Sequence, residues 1–196
     1  MLMREVIRKV AVRLLLALYR RNEVARFEGI ILADLGKSLH FQNTLLEALQ
    51  LLKSSDSRRF RRVQRYLIRV VNWHLDRGGA DYEHSTRSCR INFNDARALA
   101  DRSYYVGWCA CALIHEATHA LLESRAIAYL PASRFRIERL CVTEEHRFLL
   151  KLTFSQPSLA DRLYEEFDFA RWEYGWSASQ TEELRAVFKR ASGHRL

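Results

Sequence analysis

The feature that most constrains this 196-residue chain lies near its middle, where no charged residue occurs between Arg102 and His115 and the run then continues as His115-Glu116-Ala117-Thr118-His119. Trp108-Cys109-Ala110-Cys111-Ala112-Leu113-Ile114 before the ionisable residues and Ala120-Leu121 after them read as a central helix buried around most of its circumference. Residues four apart share one helix face, about 6 Å apart along the axis, so the two imidazoles can converge on one Zn2+ at ~2.0–2.1 Å. Glu116, beside the first histidine, reaches a water at such a centre and not the centre itself, which suits a general base. Burying two imidazoles and a carboxylate in an apolar helix is costly, and a metal offsets that cost. The plainer alternative is a pair of core histidines bonded to backbone or water.

On these five residues and their apolar flanks, the chain resembles the zincin metallopeptidases. The resemblance implies hydrolysis of a peptide or protein substrate, Zn2+ as cofactor, His115 and His119 as ligands and Glu116 as the catalytic base. It also implies an edge strand lining the cleft, for which residues 88–93 are the candidate. A catalytic zinc site takes a third protein ligand and leaves the fourth position to water. The extended metzincin pattern is absent, because residues 123–128 supply neither its glycine nor its third histidine. A gluzincin-like arrangement, with a glutamate from a following helix, is the remaining option. Glu138, 19 residues after His119, ranks first, followed by Glu145 and Glu144, and then His146. The alternative for Glu144 and Glu145 is an ordinary helix carboxylate paired with Arg139 or Arg147. Gluzincins often carry an acid or a small residue four positions after the ligand glutamate. Here that position is Val142, so an imidazole's outer partner must be Glu145 or a backbone carbonyl. Tyr104, Tyr105, Tyr174 and His146 are the candidate oxyanion donors, and no spacing selects among them.

The rest of the chain predicts an α+β fold, mostly helical and zincin-like, with a small antiparallel sheet and the motif on its central helix. Residues 1–57 read as a basic helical N-terminal region and residues 58–196 as the zincin-like domain. An amphipathic helix opens the chain, with Val6, Val10, Leu14, Ala17 and Leu18 at helical spacing among Arg4, Arg8, Lys9 and Arg13. A second helix covers residues 45–52. Ser54-Ser55-Asp56-Ser57 starts a third, in which Phe60, Val63 and Leu67 line up between arginines. Residues 68–73 and 88–93 read as two strands around Gly78-Gly79, joined as an antiparallel hairpin or meander. Helices follow over 133–152, 159–172 and 180–191, punctuated by Pro131, Pro157 and Gly175, with Trp172 and Trp176 as packing anchors.

Composition excludes disorder as the main state: 48% of residues are hydrophobic, and only 7 are Gly and 2 Pro. The net charge of +9 is one-sided, since residues 1–75 hold 15 Lys/Arg against 6 Asp/Glu while the remainder balances. An anionic partner, nucleic acid or acidic lipid, is the expectation this raises, with Phe60 and Tyr66 available for stacking among the arginines. A basic binding protein with a structural or vestigial zinc site is therefore the alternative function. A solvated arginine-rich surface is the plain reading of the same charge. Cys89, Cys109, Cys111 and Cys141 are too few and too irregular for a disulfide framework, which points to a reducing, cytoplasmic setting. The apolar run over residues 14–19 is shorter than the ~7–15 residues of a secretory core, and peripheral membrane attachment stays open for this helix.

Overall fold

The computed structural model describes residues 2–75 and 79–166. In chain order the elements are α1 (Leu2–Arg21), β1 (Glu23–Phe27), β2 (Ile30–Asp34), α2 (Phe41–Ser55), α3 (Ser57–Tyr66), β3 (Arg69–Asn72), β4 (Ala80–Glu83), β5 (Ser88–Ile91), α4 (Asp95–Ala100), α5 (Arg102–Ser124), α6 (Arg134–Leu152) and α7 (Pro157–Glu166). The fold is α+β. The helix expected over 180–191, with Trp172, Tyr174 and Trp176, lies outside the described residues. No described helix is long and apolar enough to cross a membrane.

The sheet is mixed and not simply antiparallel. Its order is β1-β2-β3-β5-β4, with β2-β3 and β3-β5 parallel and the two outer pairs antiparallel. The strands expected to form a hairpin, β3 and β5, are parallel neighbours. The chain leaving β3 first lays down β4 and then turns back, so that β5 fits between β3 and β4. The hairpin is thus β4-β5, and its register is pinned where Arg90 lies opposite Asp81 and donates to it through Nε at 2.7 Å. The edge strand is consequently Ala80–Glu83, and residues 88–91 are interior.

Alternation along the strands assigns each face a core. Ile30, Leu32, Val70, Cys89 and Ile91 join Leu45 and Leu49 of α2, Phe60 and Val63 of α3, Ile114 and Ala117 of α5 and Phe148 and Leu149 of α6 in one cluster. Ala33 and Val71 point to the opposite face, where Tyr19 of α1 covers them with Leu15, Leu16 and Trp73 packed around. Residues on both sides of position 57 share the main core, and β2 is hydrogen-bonded to β3. All four cysteines are buried free thiols.

Two caps matter for the motif helix. Asp101 accepts from the Tyr104 backbone N–H at 3.0 Å and starts α5. At the other end Ala126 sits in the left-handed region (φ 60), with Ala126 N–H bonded to the Glu123 carbonyl and Ile127 N–H to the Leu122 carbonyl. This is a Schellman closure, and it folds the chain after α5 back along the helix. Behind the motif, buried Asp56 caps α3 by accepting from Arg59 N–H at 3.2 Å and also holds the Arg59 guanidinium and Lys151 Nζ. Burial pushes the Asp56 carboxyl up, but the bonds from Arg59 and Lys151 more than reverse this and hold it below the ordinary carboxylate value.

Replacing Asp56 by Ala should destabilise the fold by about 2–4 kcal/mol, because a cap is lost and the buried Arg59 loses one of its two carboxylates. The depressed folded value means that this contribution is complete above the unfolded pKa of about 4 and disappears as pH falls through the lower folded value. Urea midpoints of the two proteins should therefore converge in acid. Ala126→Gly, at an exposed left-handed position, should add about 1 kcal/mol, read as a higher Tm.

Candidate metal centre and cleft

Helix α5 carries His115 and His119 on one face, their ring centroids 4.9 Å apart. Helix α6 packs against that face with Glu138, Cys141 and Glu145 at spacings of three and four, one side of a helix. The two helices meet through side-chain chemistry as well as apolar contact. Glu138 reaches both imidazoles, with Oε2 3.1 Å from His115 Nε2 and Oε1 3.7 Å from His119 Nε2. Glu145 Oε1 lies 2.9 Å from His115 Nδ1, on the other side of the same ring.

These carboxylates dominate the titration of His115. Burial works to lower its pKa, yet Glu145 and Glu138 hold it well above the ordinary histidine value. Burial likewise tends to raise Glu138, but hydrogen bonds from His115 and His119 hold its carboxyl far below the usual carboxylate range. Glu116 behaves oppositely: burial raises its pKa, and attraction to the two histidines only partly offsets that. Glu138, Glu145 and Glu116 are respectively 8%, 2% and 5% exposed, so three buried carboxylates lie beside two partly buried imidazoles. Among the described residues Glu145 Oε2 has no hydrogen-bond partner.

The donor types present, two imidazoles with carboxylates and a thiol beside them, are of the kind that holds a divalent metal. Atoms that each lie ~2.0–2.1 Å from a tetrahedral centre are about 3.3 Å from one another. The 3.1 Å between Glu138 Oε2 and His115 Nε2 is close to that figure, whereas the 3.7 Å to His119 Nε2 is measured from the other carboxylate oxygen, Oε1. Glu145 meanwhile occupies Nδ1 of His115, the usual way in which an imidazole's free nitrogen is turned toward a metal. Among the described residues, the side chains whose donor atoms all lie within 4.8 Å of one another are those of His115, His119 and Cys141. Cys141 is fully buried, and burial followed by the neighbouring Glu138 pushes its thiol up.

The other candidates are elsewhere. Glu144 faces away from the histidines and pairs with Arg59 at 3.1 Å, Arg62 at 2.8 Å and Arg147. His146 packs against the Tyr164 ring. Tyr105 is buried and its hydroxyl accepts from Asn94 N–H, while Tyr104 lies under Arg162. The aromatic at the centre is Tyr129, whose ring meets His119 edge-on at 5.4 Å and whose hydroxyl donates to Glu138. Sequence patterning misses Tyr129 because it sits in the connector that the Ala126 turn sends back over the helix. Nor does spacing reveal Arg62, which donates to Thr118 Oγ1 inside the motif at 3.2 Å and ties α3 to α5.

The centre opens into a cleft of about 820 Å3. Trp108, Ala112, Leu122 and Glu123 of α5 form one wall, Ile127 to Tyr129 another, and Gly79 with Ala80 to Tyr82 of the edge strand the third. Strand β4 pairs with β5 alone among the described residues, so its second backbone edge is free on the cleft side. Gly79 permits this approach, since a Cβ there would lie 2.5 Å from Trp108 Cζ2, on a ring already stacked on Tyr105. The basic patch of α3 is partly consumed by the interior: Arg59 and Phe60 are buried, whereas Arg58, Arg61 and Arg65 face solvent. Comparison of the chain with protein-family models, with curated proteins and with solved structures finds no match.

Proposed function

We propose that the cleft is the active site of a zinc-dependent hydrolase acting on peptide bonds. The observation that carries this reading is the Glu138 carboxylate spanning the Nε2 atoms of His115 and His119 at 3.1 and 3.7 Å, beside an open cleft. His115, His119 and Glu138 would hold the ion, and Glu145 would keep the His115 ring turned toward it. Zinc bound there supplies Lewis acidity, polarising a carbonyl and lowering the pKa of water.

The chain's own residues account for the remaining steps. The free edge of β4 offers backbone donors and acceptors to an extended peptide, which would add as a further strand and bring its carbonyl toward the histidines. Glu116 takes the proton from the attacking water and returns it to the departing amine, so that the carboxylate is regenerated. Its buried carboxyl, raised in pKa, is suited to holding that proton briefly. Trp108, Leu122 and Ile127 keep the cleft apolar and exclude competing water.

A second reading follows from Cys141. If sulfur joined His115, His119 and Glu138 around the ion, the site would be closed and structural, and the protein a binding module with a zinc staple. The 820 Å3 cleft that His115 and His119 line favours the open arrangement.

Glu116→Gln keeps the shape of the site and removes the base. Turnover of a quenched peptide library should fall by about 10²–10⁴-fold, with zinc content by atomic absorption unchanged. Undiminished turnover in a preparation free of other peptidases would refute the assignment.

A further inference from the structure

Helix α1 presents two apolar faces, and the sheet uses only one. Tyr19, Leu15 and Leu16 turn inward onto Ala33, Val71 and Trp73. At about 100° per residue, Met3, Ile7, Val10 and Leu14 form a stripe on the opposite side, with Val6 and Leu18 at its margins. All six are open to solvent, Met3 at 77%, Ile7 at 61% and Leu14 at 66% exposure. A continuous apolar stripe left in water on an otherwise folded domain marks a surface that is covered in use.

Charge identifies the cover. Lys9, Arg13 and Arg20 run along one flank of the stripe, and all three are exposed. Arg8 lies on the inward side of the helix, between Leu15 and Tyr19, and reaches His84 at the turn after β4, with Nη2 3.4 Å from Nε2. The single acid of α1, Glu5, is paired with Lys9 at 2.9 Å. An apolar stripe bordered by cations is the pattern of a helix lying in the plane of an anionic bilayer, its stripe among the acyl chains and its cations among the headgroups. A second copy of the chain fits poorly. Two such stripes packed together would bring Arg13 and Arg20 against their own kind, with no acid to pair them.

We propose that α1 is an in-plane membrane anchor whose outward face, Met3, Ile7, Val10 and Leu14 bordered by Lys9, Arg13 and Arg20, docks on an anionic lipid surface. The excess charge of the first 75 residues then has a partner, and α3 adds exposed Arg58, Arg61 and Arg65 to it. None of this depends on the cleft being catalytic.

Flotation of the full chain with vesicles of phosphatidylcholine alone and of phosphatidylcholine mixed with phosphatidylserine tests the proposal. Binding to the anionic vesicles should be about tenfold or more the stronger and should weaken with added salt. Ile7→Ser with Leu14→Ser should abolish it, and Lys9→Glu with Arg13→Glu should weaken it about tenfold or more. Thermal melts should stay unchanged, since these side chains are exposed. Equal binding to both vesicle types, or binding that survives both double variants, would overturn the proposal. So would absence of vesicle binding, and crosslinking from Leu14→Cys to a second copy or to residues 167–196 would then assign the stripe to that occupant.

Discussion

Everything distinctive in this molecule depends on one carboxylate placed between two imidazoles. Glu138 ties α6 to α5 at His115 and His119, inside a helix pair that also packs through apolar side chains. The pairing is expensive in isolation, because each group must leave water. It is tolerable here because Glu145 takes the second nitrogen of His115 and Tyr129 donates to Glu138. A cation among these groups would neutralise charge that the surrounding apolar helices cannot solvate, and this is the physical ground for reading the cluster as a metal centre.

The other elements act by fixing the relative position of α5, α6 and the edge strand. Arg59 and Arg62 of α3 grip Glu144 of α6, and Arg62 also bonds Thr118 of α5, so three helices are tied together directly behind the histidines. The left-handed Ala126 returns the chain across the site and delivers Tyr129. Close contact between Gly79 and Trp108 sets how near β4 comes to α5, and hence the width of the cleft.

How much of this is legible in sequence depends on whether the determining contact is local. The His115, Glu116 and His119 constellation follows from helical periodicity alone. The approach of Glu138 and Glu145 to His115 follows from their sharing one face of the next long helix. The α+β class is likewise readable, and the cap at Asp56 lies in the Ser54-Ser55-Asp56-Ser57 run that suggests a helix start. The parallel pairing of β3 with β5 is not readable, because it depends on a later strand, β4, taking the outer edge. Strands β1 and β2 escape too: each is five residues, and their turn is a Glu28-Gly29 pair with both φ positive, where the usual first residue would be Asn, Asp or Gly. The charge is the instructive case. Counting arginines marks α3 as a binding patch, whereas burial shows Arg59 serving the interior and leaves α1 as the helix with an unmatched surface.

The central claim is an open centre of two imidazoles and one carboxylate. Zinc-edge X-ray absorption of the zinc-loaded protein tests it most directly. The account predicts a four-coordinate shell of nitrogen and oxygen at ~2.0–2.1 Å, including imidazole scattering from two histidines and no sulfur. A sulfur contribution at ~2.3 Å would put Cys141 in the shell and make the site a closed, structural one. Failure of the protein to retain zinc at all would contradict the account outright.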